Sequence, residues 1–354
     1  MIVIDGSYGE GGGQILRLSV ALSCITGSDV KVVNVRAKRE SPGLRPQHIT
    51  SVRAAEQICR ARTEGLSIGS RELVFSPSTI DPRETVLDVG TAGSVTLVMQ
   101  TILPILAFSD RKVELELRGG TDVSWSPPID YVKHVMLPHL ARMDYQVEVS
   151  VLRRGHYPKG GGIVRVRTLN NPKSFKPVNL SGRGDLIRVR GLSHCVKLPK
   201  DVAVRQAESA RKHLVGEGVR EPIDIELEFY EPGKDPHIGP GSGIVLWAET
   251  VSSILGADAL GARGKRAEAV GVEAAEKLIQ DLRLGVALDR HMSDNVLIYL
   301  AFSKGASVIT GAEYSMHAHT ALWVLKHFLK LDYELSGELG KPFKLVMRSG
   351  VHEF

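Results

Sequence analysis

Two histidines two residues apart, His317 and His319 in SMHAHTALW, stand at the start of a helical run that follows the strand-like SVITGAEYS. A neutral imidazole near pH 7 is a competent nucleophile toward phosphorus, and histidine is also a common metal ligand. Residues two apart do not share a helical face, and no third ligand stands at a metal-binding spacing. Nucleophilic, capping and structural roles therefore stay open for the pair. A second cluster is GSYGEGGGQ, where Glu10 lies among four glycines ahead of a helical run, with Arg17 about two turns on. A glycine-lined bend lets an anion approach backbone N–H groups, and the same bend is equally a strand-to-helix turn in which Glu10 complements the helix dipole.

Cations concentrate in VRAKRESPGLRPQHITSVR, which carries Arg36, Lys38, Arg39 and Arg45, with Gln47 and His48 at the beginning of the next helical run. Guanidinium groups bind phosphate bidentately and stay charged at all accessible pH. Such a run is commonly a solvated loop, but Pro42, Gly43 and Pro46 stiffen this one and reduce the entropy lost on binding.

Familiar nucleotide loops are absent. GEGGGQ misses G-x-G-x-x-G because Gln14 sits where the last glycine belongs, and no segment satisfies G-x-x-x-x-G-K-[ST]. The glycine triplet of RGHYPKGGG, preceded by YQVEVSVLRR and followed by IVRVRTL, has no helix N-terminus after it. It reads as a hairpin bend more than as a phosphate cradle, with Arg154, His156 and Lys159 available to face a ligand.

The elements that must position these groups recur. A short strand, a polar or glycine-rich bend and an apolar helix appear in IVIDGSYGEGGGQILRLSVALSCITG, in TVLDVGTAGSVTLVMQTILPILAF and in GVALDRHMSDNVLIYLAFSKG. Each copy precedes a second helical candidate: RPQHITSVRAAEQICRA, then PPIDYVKHVMLPHLARM with a kink expected at Pro138, then HAHTALWVLKHFLKL. Alternating strand-like runs follow. The pattern predicts an α/β fold of the α+β type: three repeated units, each a four-stranded sheet with two helices, plus a smaller inserted α/β domain. Residues 1–183 and 284–354 form the large catalytic domain in this reading, and 184–283 form the inserted one, read as strand, helix, strand, strand, helix.

Composition bounds the function. The chain has 354 residues, 43% of them hydrophobic, enough for a sizeable core. Forty-five Lys+Arg against 40 Asp+Glu give a mildly basic balance that suits a phosphate-bearing partner. Three dispersed cysteines disfavour a disulfide framework and a cysteine zinc site, and fit a reduced cytoplasm. MIVIDGSYGEGGG has no basic leader, and no apolar run reaches the ~20 residues that span a bilayer, so neither secretion nor membrane insertion is expected.

Taken in order, DGSYGEGGGQILR, RAKRESPGLRPQH, GTAGSVTLVMQTILP, GGTDVSWSPP, RGHYPKGGG and DRHMSDN resemble the RNA 3'-terminal phosphate cyclase family over essentially the whole chain, as an archaeal-like member of its true cyclase branch. The resemblance implies three repeats with a smaller domain inserted before the last. It implies a ligase that converts an RNA 3'-terminal phosphate to a 2',3'-cyclic phosphodiester through a covalent histidine-AMP and an adenylylated RNA end, releasing pyrophosphate and AMP. By the family's motifs His317 is the nucleophile, with His319 the second choice. Glu10, Arg17, Arg36, Arg39 and Gln47 fall where the family lines its ATP and phosphate pocket, Gln100 falls at an adenosine contact, and His291, Met292, Ser293, Asp294 and Asn295 lie along the nucleotide. Asp294 is implied either to orient the imidazole or, with Glu10, to hold Mg2+ or Mn2+. The implied partners are ATP and RNA with a 3'-terminal phosphate; a homo-oligomer is left open. HMSDN departs from the Tyr and Gln that bacterial members place around the Asp, and GLRPQH shifts the arginine of a common GLLRQH by one. The rival readings are a non-catalytic cyclase-like RNA-binding protein of ribosome assembly, against which His317 argues, and an enolpyruvyl transferase.

Overall fold

The computed structural model describes residues 1–349. Unit one runs β1 (Ile2–Asp5), α1 (Gly13–Thr26), β2 (Val30–Val33), α2 (Pro46–Cys59), β3 (Arg62–Glu64) and β4 (Leu73–Ser76), with sheet order β1-β2-β4-β3. Unit two runs β5 (Thr85–Asp88), α3 (Val95–Leu106), β6 (Glu114–Gly119), a composite helix, β7 (Val147–Arg153) and β8 (Gly162–Thr168), in the order β5-β6-β8-β7. In both, the first two strands are parallel, because a helix crosses between them, and the last two are antiparallel to their neighbours. The composite helix comprises α4 (Ile129–Tyr131), a π-helical turn (Val132–Met136) and α5 (Leu137–Arg142). The irregularity expected at Pro138 is thus a π-turn, which absorbs the missing N–H and the ring's bulk without breaking the helix.

Unit three differs from its sequence reading in an informative way. Its first strand is split: β9 (Asn179–Leu180) pairs in parallel with Val308 and Ile309, and Leu288 makes a single parallel bridge to Gly311 further along the same neighbour. The chain between the two pieces is a fourth sheet. It comprises β10 (Leu186–Val196), α6 (Asp201–Gly216), β11 (Ile223–Glu228), β12 (Gly241–Thr250), β13 (Ile254–Leu260) and α7 (Ala267–Arg283), ordered β11-β10-β12-β13. The sequence reading missed β13, whose ILGADAL lacks strict alternation because residues on both of its faces are buried. Unit three then continues as α8 (Met292–Asn295), α9 (Leu297–Ala301), β14 (Gly305–Gly311), α10 (Met316–Phe328), β15 (Asp332–Ser336) and β16 (Phe343–Ser349), with order β9-β14-β16-β15. The strand and long helix expected from GVALDRHMSDNVLIYLAF are therefore one bridge and two short helices, because the strand's earlier half comes from 179–180.

One apolar core, from Ile4 to Met347, joins the three like units, and α1 packs against α2, α3 and α10 at its centre. The fourth sheet has its own core, including Val189, Leu246, Ala274 and Leu278. A smaller cluster of Tyr131, Val135, Val245 and Trp247 joins its other face to the π-turn, with His134 stacked on Trp247 at 4.3 Å. Among the described residues no helix is long and apolar enough to cross a membrane.

Candidate active site

Four helix N-termini converge. Gly13 of α1 lies so close to His48 of α2 that a Cβ there would stand 2.2 Å from the imidazole Nε2. Gln47 Oε1 accepts from the Ser94 N–H at the N-cap of α3 (3.3 Å), and Gln14 of α1 grips the first turn of α10. Each N-terminus carries the positive end of a helix dipole, so their convergence makes a rim suited to negative charge.

The grip on α10 defines the imidazole of His317. Gln14 Nε2 donates to the His317 carbonyl (3.1 Å), which turns its Oε1 toward His317 Nδ1 at 2.7 Å. An amide oxygen only accepts, so Nδ1 carries the proton and the lone pair of the neutral ring sits on Nε2. That nitrogen lies 3.4 Å from Glu10 Oε2, with both side chains nearly half exposed (45% and 42%) and reachable from solvent. The orienting partner is thus Gln14 and not Asp294. The sequence reading used Gln14 only as the residue that spoils a glycine motif; a polar side chain one residue into a helix, facing a second helix start, was the signal available.

His319 is placed differently. Its Nε2 bonds the Tyr8 hydroxyl and its Nδ1 the Tyr314 hydroxyl, both at 2.8 Å, so its lone pair is engaged. Tyr8 stacks in turn on Trp323 at 4.0 Å.

The basic loop closes over the bend. Arg39 Nη2 donates to Glu10 Oε2 (3.1 Å) and Lys38 Nζ to the Gly9 carbonyl (2.9 Å). Arg36 instead ties its own loop, donating to the carbonyls of Ser41 (2.7 Å) and Gly43 (3.0 Å), and burial beside Arg45 and Arg39 lowers its pKa. His48 accepts from the Arg45 N–H (3.2 Å) through Nδ1; burial, then the charges of Arg17, Arg36 and Arg45, push its pKa down to about 3 and keep it neutral.

Behind the rim opens a shallow cleft, open to solvent. Its polar end holds Gln14, Arg17, Gln100, Asp294 and Asn295, and its apolar end Leu18, Met136, Ile298, Tyr299 and Ala321. A relay of side chains joins the polar groups. Arg17 Nη2 donates to Gln100 Oε1 (3.4 Å), Gln100 Nε2 to Asn295 Oδ1 (2.7 Å), and Asn295 Nδ2 to Asp294 Oδ1 (3.0 Å). Burial lowers Arg17 to about 10, opposed by the Asp294 charge, and raises Asp294 to about 6, opposed by His317 and His291.

The structure brings Glu10, Arg17, Arg39, Gln100, Asp294, Asn295 and His317 to this rim and cleft. Met292 and Ser293 are fully buried, and Ser293 spends its hydroxyl on the Asp289 carbonyl at 2.6 Å, so neither lines the cleft. His291 is exposed, edge-on to Tyr131 at 6.0 Å. Gln47 turns its amide oxygen to Ser94. Arg154, expected to face a ligand, is 2% exposed and buried among carboxylates away from the cleft. Among the described residues neither Glu10 nor Asp294 belongs to a group of three metal-ligating side chains. A single half-exposed carboxylate such as Glu10 does suit Mg2+ or Mn2+, which keep waters and complete their shells with phosphate oxygens.

A repeat-built α/β protein with an oriented imidazole on a cationic rim is the class that fold and site define. A family model described as RNA 3'-terminal phosphate cyclase matches residues 8–335. Relatives named RNA 3'-terminal phosphate cyclase include one from Ignicoccus hospitalis, 53% identical over 351 residues and covering 98% of each chain. Another, from Hyperthermus butylicus, is 52% identical over 348 residues, 98% of this chain and 97% of its own. A third, from Pyrococcus abyssi, is 45% identical over 345 residues, 98% of each. The chain belongs to the RNA 3'-terminal phosphate cyclase family and is an enzyme of that family.

Proposed function

We propose that the chain carries out the ATP-dependent conversion of an RNA 3'-terminal phosphate into a 2',3'-cyclic phosphodiester, with His317 adenylylated on the way. The observation that carries this reading is the Gln14 clamp, which holds the His317 ring through Nδ1 and turns Nε2 to the solvent-facing rim. In the first step Nε2, released by Glu10, attacks the α-phosphorus of ATP; a P–N bond forms and the P–O bond to pyrophosphate breaks. A terminal phosphate oxygen of the RNA then displaces the histidine from phosphorus, giving an RNA-phosphate-AMP anhydride. Finally the neighbouring 2'-OH attacks the RNA phosphorus, loses its proton, and expels AMP. Activation is needed because a phosphate monoester lacks a leaving group, whereas closing a five-membered ring from an adjacent hydroxyl has little entropic cost.

The chain's residues divide that work. The apolar end of the cleft receives the flat base, and Gln100 and Asn295 offer amides to its edge. Arg39, Lys38 and the converging helix N-termini take the phosphates. Glu10 would hold Mg2+ or Mn2+ beside the triphosphate, where the ion supplies charge screening and Lewis acidity. His319 supports the wall through Tyr8 and Tyr314 and does not react.

We also propose that residues 184–283 form a separate inserted domain, on the support of their own sheet and core, with residues 1–183 and 284–354 as the catalytic body. Of these, 350–354 lie outside the described residues.

The test is covalent labelling. Incubated with ATP labelled at the α-phosphate and a divalent metal, the protein is expected to acquire acid-labile label, and RNA ending in a 3'-phosphate, but not a 3'-OH, is expected to discharge it. Absence of label on the wild-type chain with either metal would falsify the reading.

A further inference from the structure

The segment RGHYPKGGG that follows β7 does not reach the cleft. It enters the junction between unit two and the fourth sheet, where Asp122, His156 and His194 are brought together from three parts of the chain. All three are more than nine-tenths buried, at 2%, 8% and 1% exposure. One ligand atom from each lies within 4.8 Å of the other two, and the imidazole centroids are 5.2 Å apart. Cations of the zinc class take donors at ~2.0–2.1 Å, which sets donors ~3.3 Å apart. Small side-chain rotations close that difference.

Four features converge on a ligand. Asp122 Oδ1, His156 Nε2 and both ring nitrogens of His194 are buried without a hydrogen-bond partner. A buried ring N–H and a buried lone pair left unpaired are costly, and such groups call for an occupant. An outer support is already in place: Thr121 Oγ1 donates to Asp122 Oδ2 (2.7 Å) and so fixes the carboxylate plane. Space for the rings is reserved on β12, where a Cβ on Gly241 would stand 2.0 Å from the His156 ring and one on Gly243 3.0 Å from His194.

Charge points the same way. Arg154 contacts Asp130 Oδ2 at 2.7 Å, Glu228 Oε2 at 2.6 Å and Asp122 Oδ2 at 3.2 Å. One guanidinium faces three carboxylates, so acidic groups outnumber cationic ones at this largely buried junction, which suits a divalent cation.

We propose that Asp122, His156 and His194 bind a divalent first-row metal of the zinc class, which staples the loop after β7 and the segment after β6 to β10 of the fourth sheet. Two imidazoles and one carboxylate select such an ion over Mg2+, which prefers oxygen donors, and leave a fourth position for water. The site is structural and stands apart from the nucleotide cleft.

The full-length protein, stripped with EDTA and kept free of nucleotide, tests this. Titration with Co2+ is expected to produce visible d–d absorption saturating at one equivalent, to be displaced by Zn2+, and to raise the Tm. The bands are expected to vanish in His156→Asn and His194→Asn and to persist in Glu10→Gln/His317→Asn, which separates this site from the active-site rim. If the histidine variants are too unstable to purify, zinc-edge absorption on the wild-type chain decides, with two imidazoles and no sulfur expected in the first shell. No stoichiometric binding by wild type, a shell with fewer than two imidazoles, or undiminished binding by the variants overturns the proposal.

Discussion

At the scale of residues, the site turns on which imidazole nitrogen is free. His317→Asn is expected to abolish covalent labelling by α-phosphate-labelled ATP, whereas His319→Asn, which loosens Tyr8 and Tyr314, is expected to keep the label at lower thermal stability. Gln14→Ala leaves the nucleophile in place but frees its ring, so adenylylation is expected to slow by about 100-fold with little change in the KM for ATP, as single-turnover rates would read. Asp294 carries a pH signature. Its folded pKa of about 6 exceeds the ordinary 3.8, so the group favours the folded state at low pH and that contribution is lost as pH rises through about 6. Asp294→Asn is therefore expected to be more stable than wild type at pH 7.5, by up to about 3 kcal/mol, with the gain fading toward pH 4 in urea titrations. The types of these residues were legible in the sequence. That His319 is held at both nitrogens was not, since Tyr8 lies 311 positions away.

At the scale of elements, short bends bring the helix starts together. Gly13 has no room for a side chain beside His48, whose Nδ1 satisfies the Arg45 N–H at the start of α2. Gly13→Ala is expected to push His48 aside, to cost about 1–3 kcal/mol in denaturant unfolding, and to impair labelling by splaying the N-termini of α1 and α2. Periodicity made the long amphipathic helices α1, α2 and α10 readable. It failed where pairing partners are distant. The first strand of unit three is assembled from 179–180 and Leu288, and no local pattern marks two fragments as one edge. It failed also at β13, whose burial on both faces erases alternation.

At the scale of the whole molecule, a buried ionic knot joins unit two to the fourth sheet. Arg154 reaches Glu228 with two hydrogen bonds, at 2.8 and 2.6 Å, while contacting Asp130 and Asp122. Its surroundings hold the guanidinium pKa above its usual value despite burial. Arg154→Met strands buried carboxylates and is expected to cost about 3–5 kcal/mol in chemical denaturation, against less than about 1 kcal/mol for Arg188→Ala, whose half-exposed pair with Glu249 is screened by solvent. A similar loss for both variants would remove the knot from the account of how the two sheets are held.

From sequence alone came the repeated strand–bend–helix units, the basic proline-stiffened loop, the glycine bend bearing Glu10 and the two candidate histidines, because each rests on periodicity or residue chemistry within a few tens of positions. Only the tertiary structure decided that Gln14 orients His317, that both nitrogens of His319 are engaged, that Met292 and Ser293 are core, and that Arg154 is an internal cation. The reason is physical: a side chain's hydrogen-bond partner and its burial are set by what the fold carries to it from far along the chain, and composition holds no record of that distance.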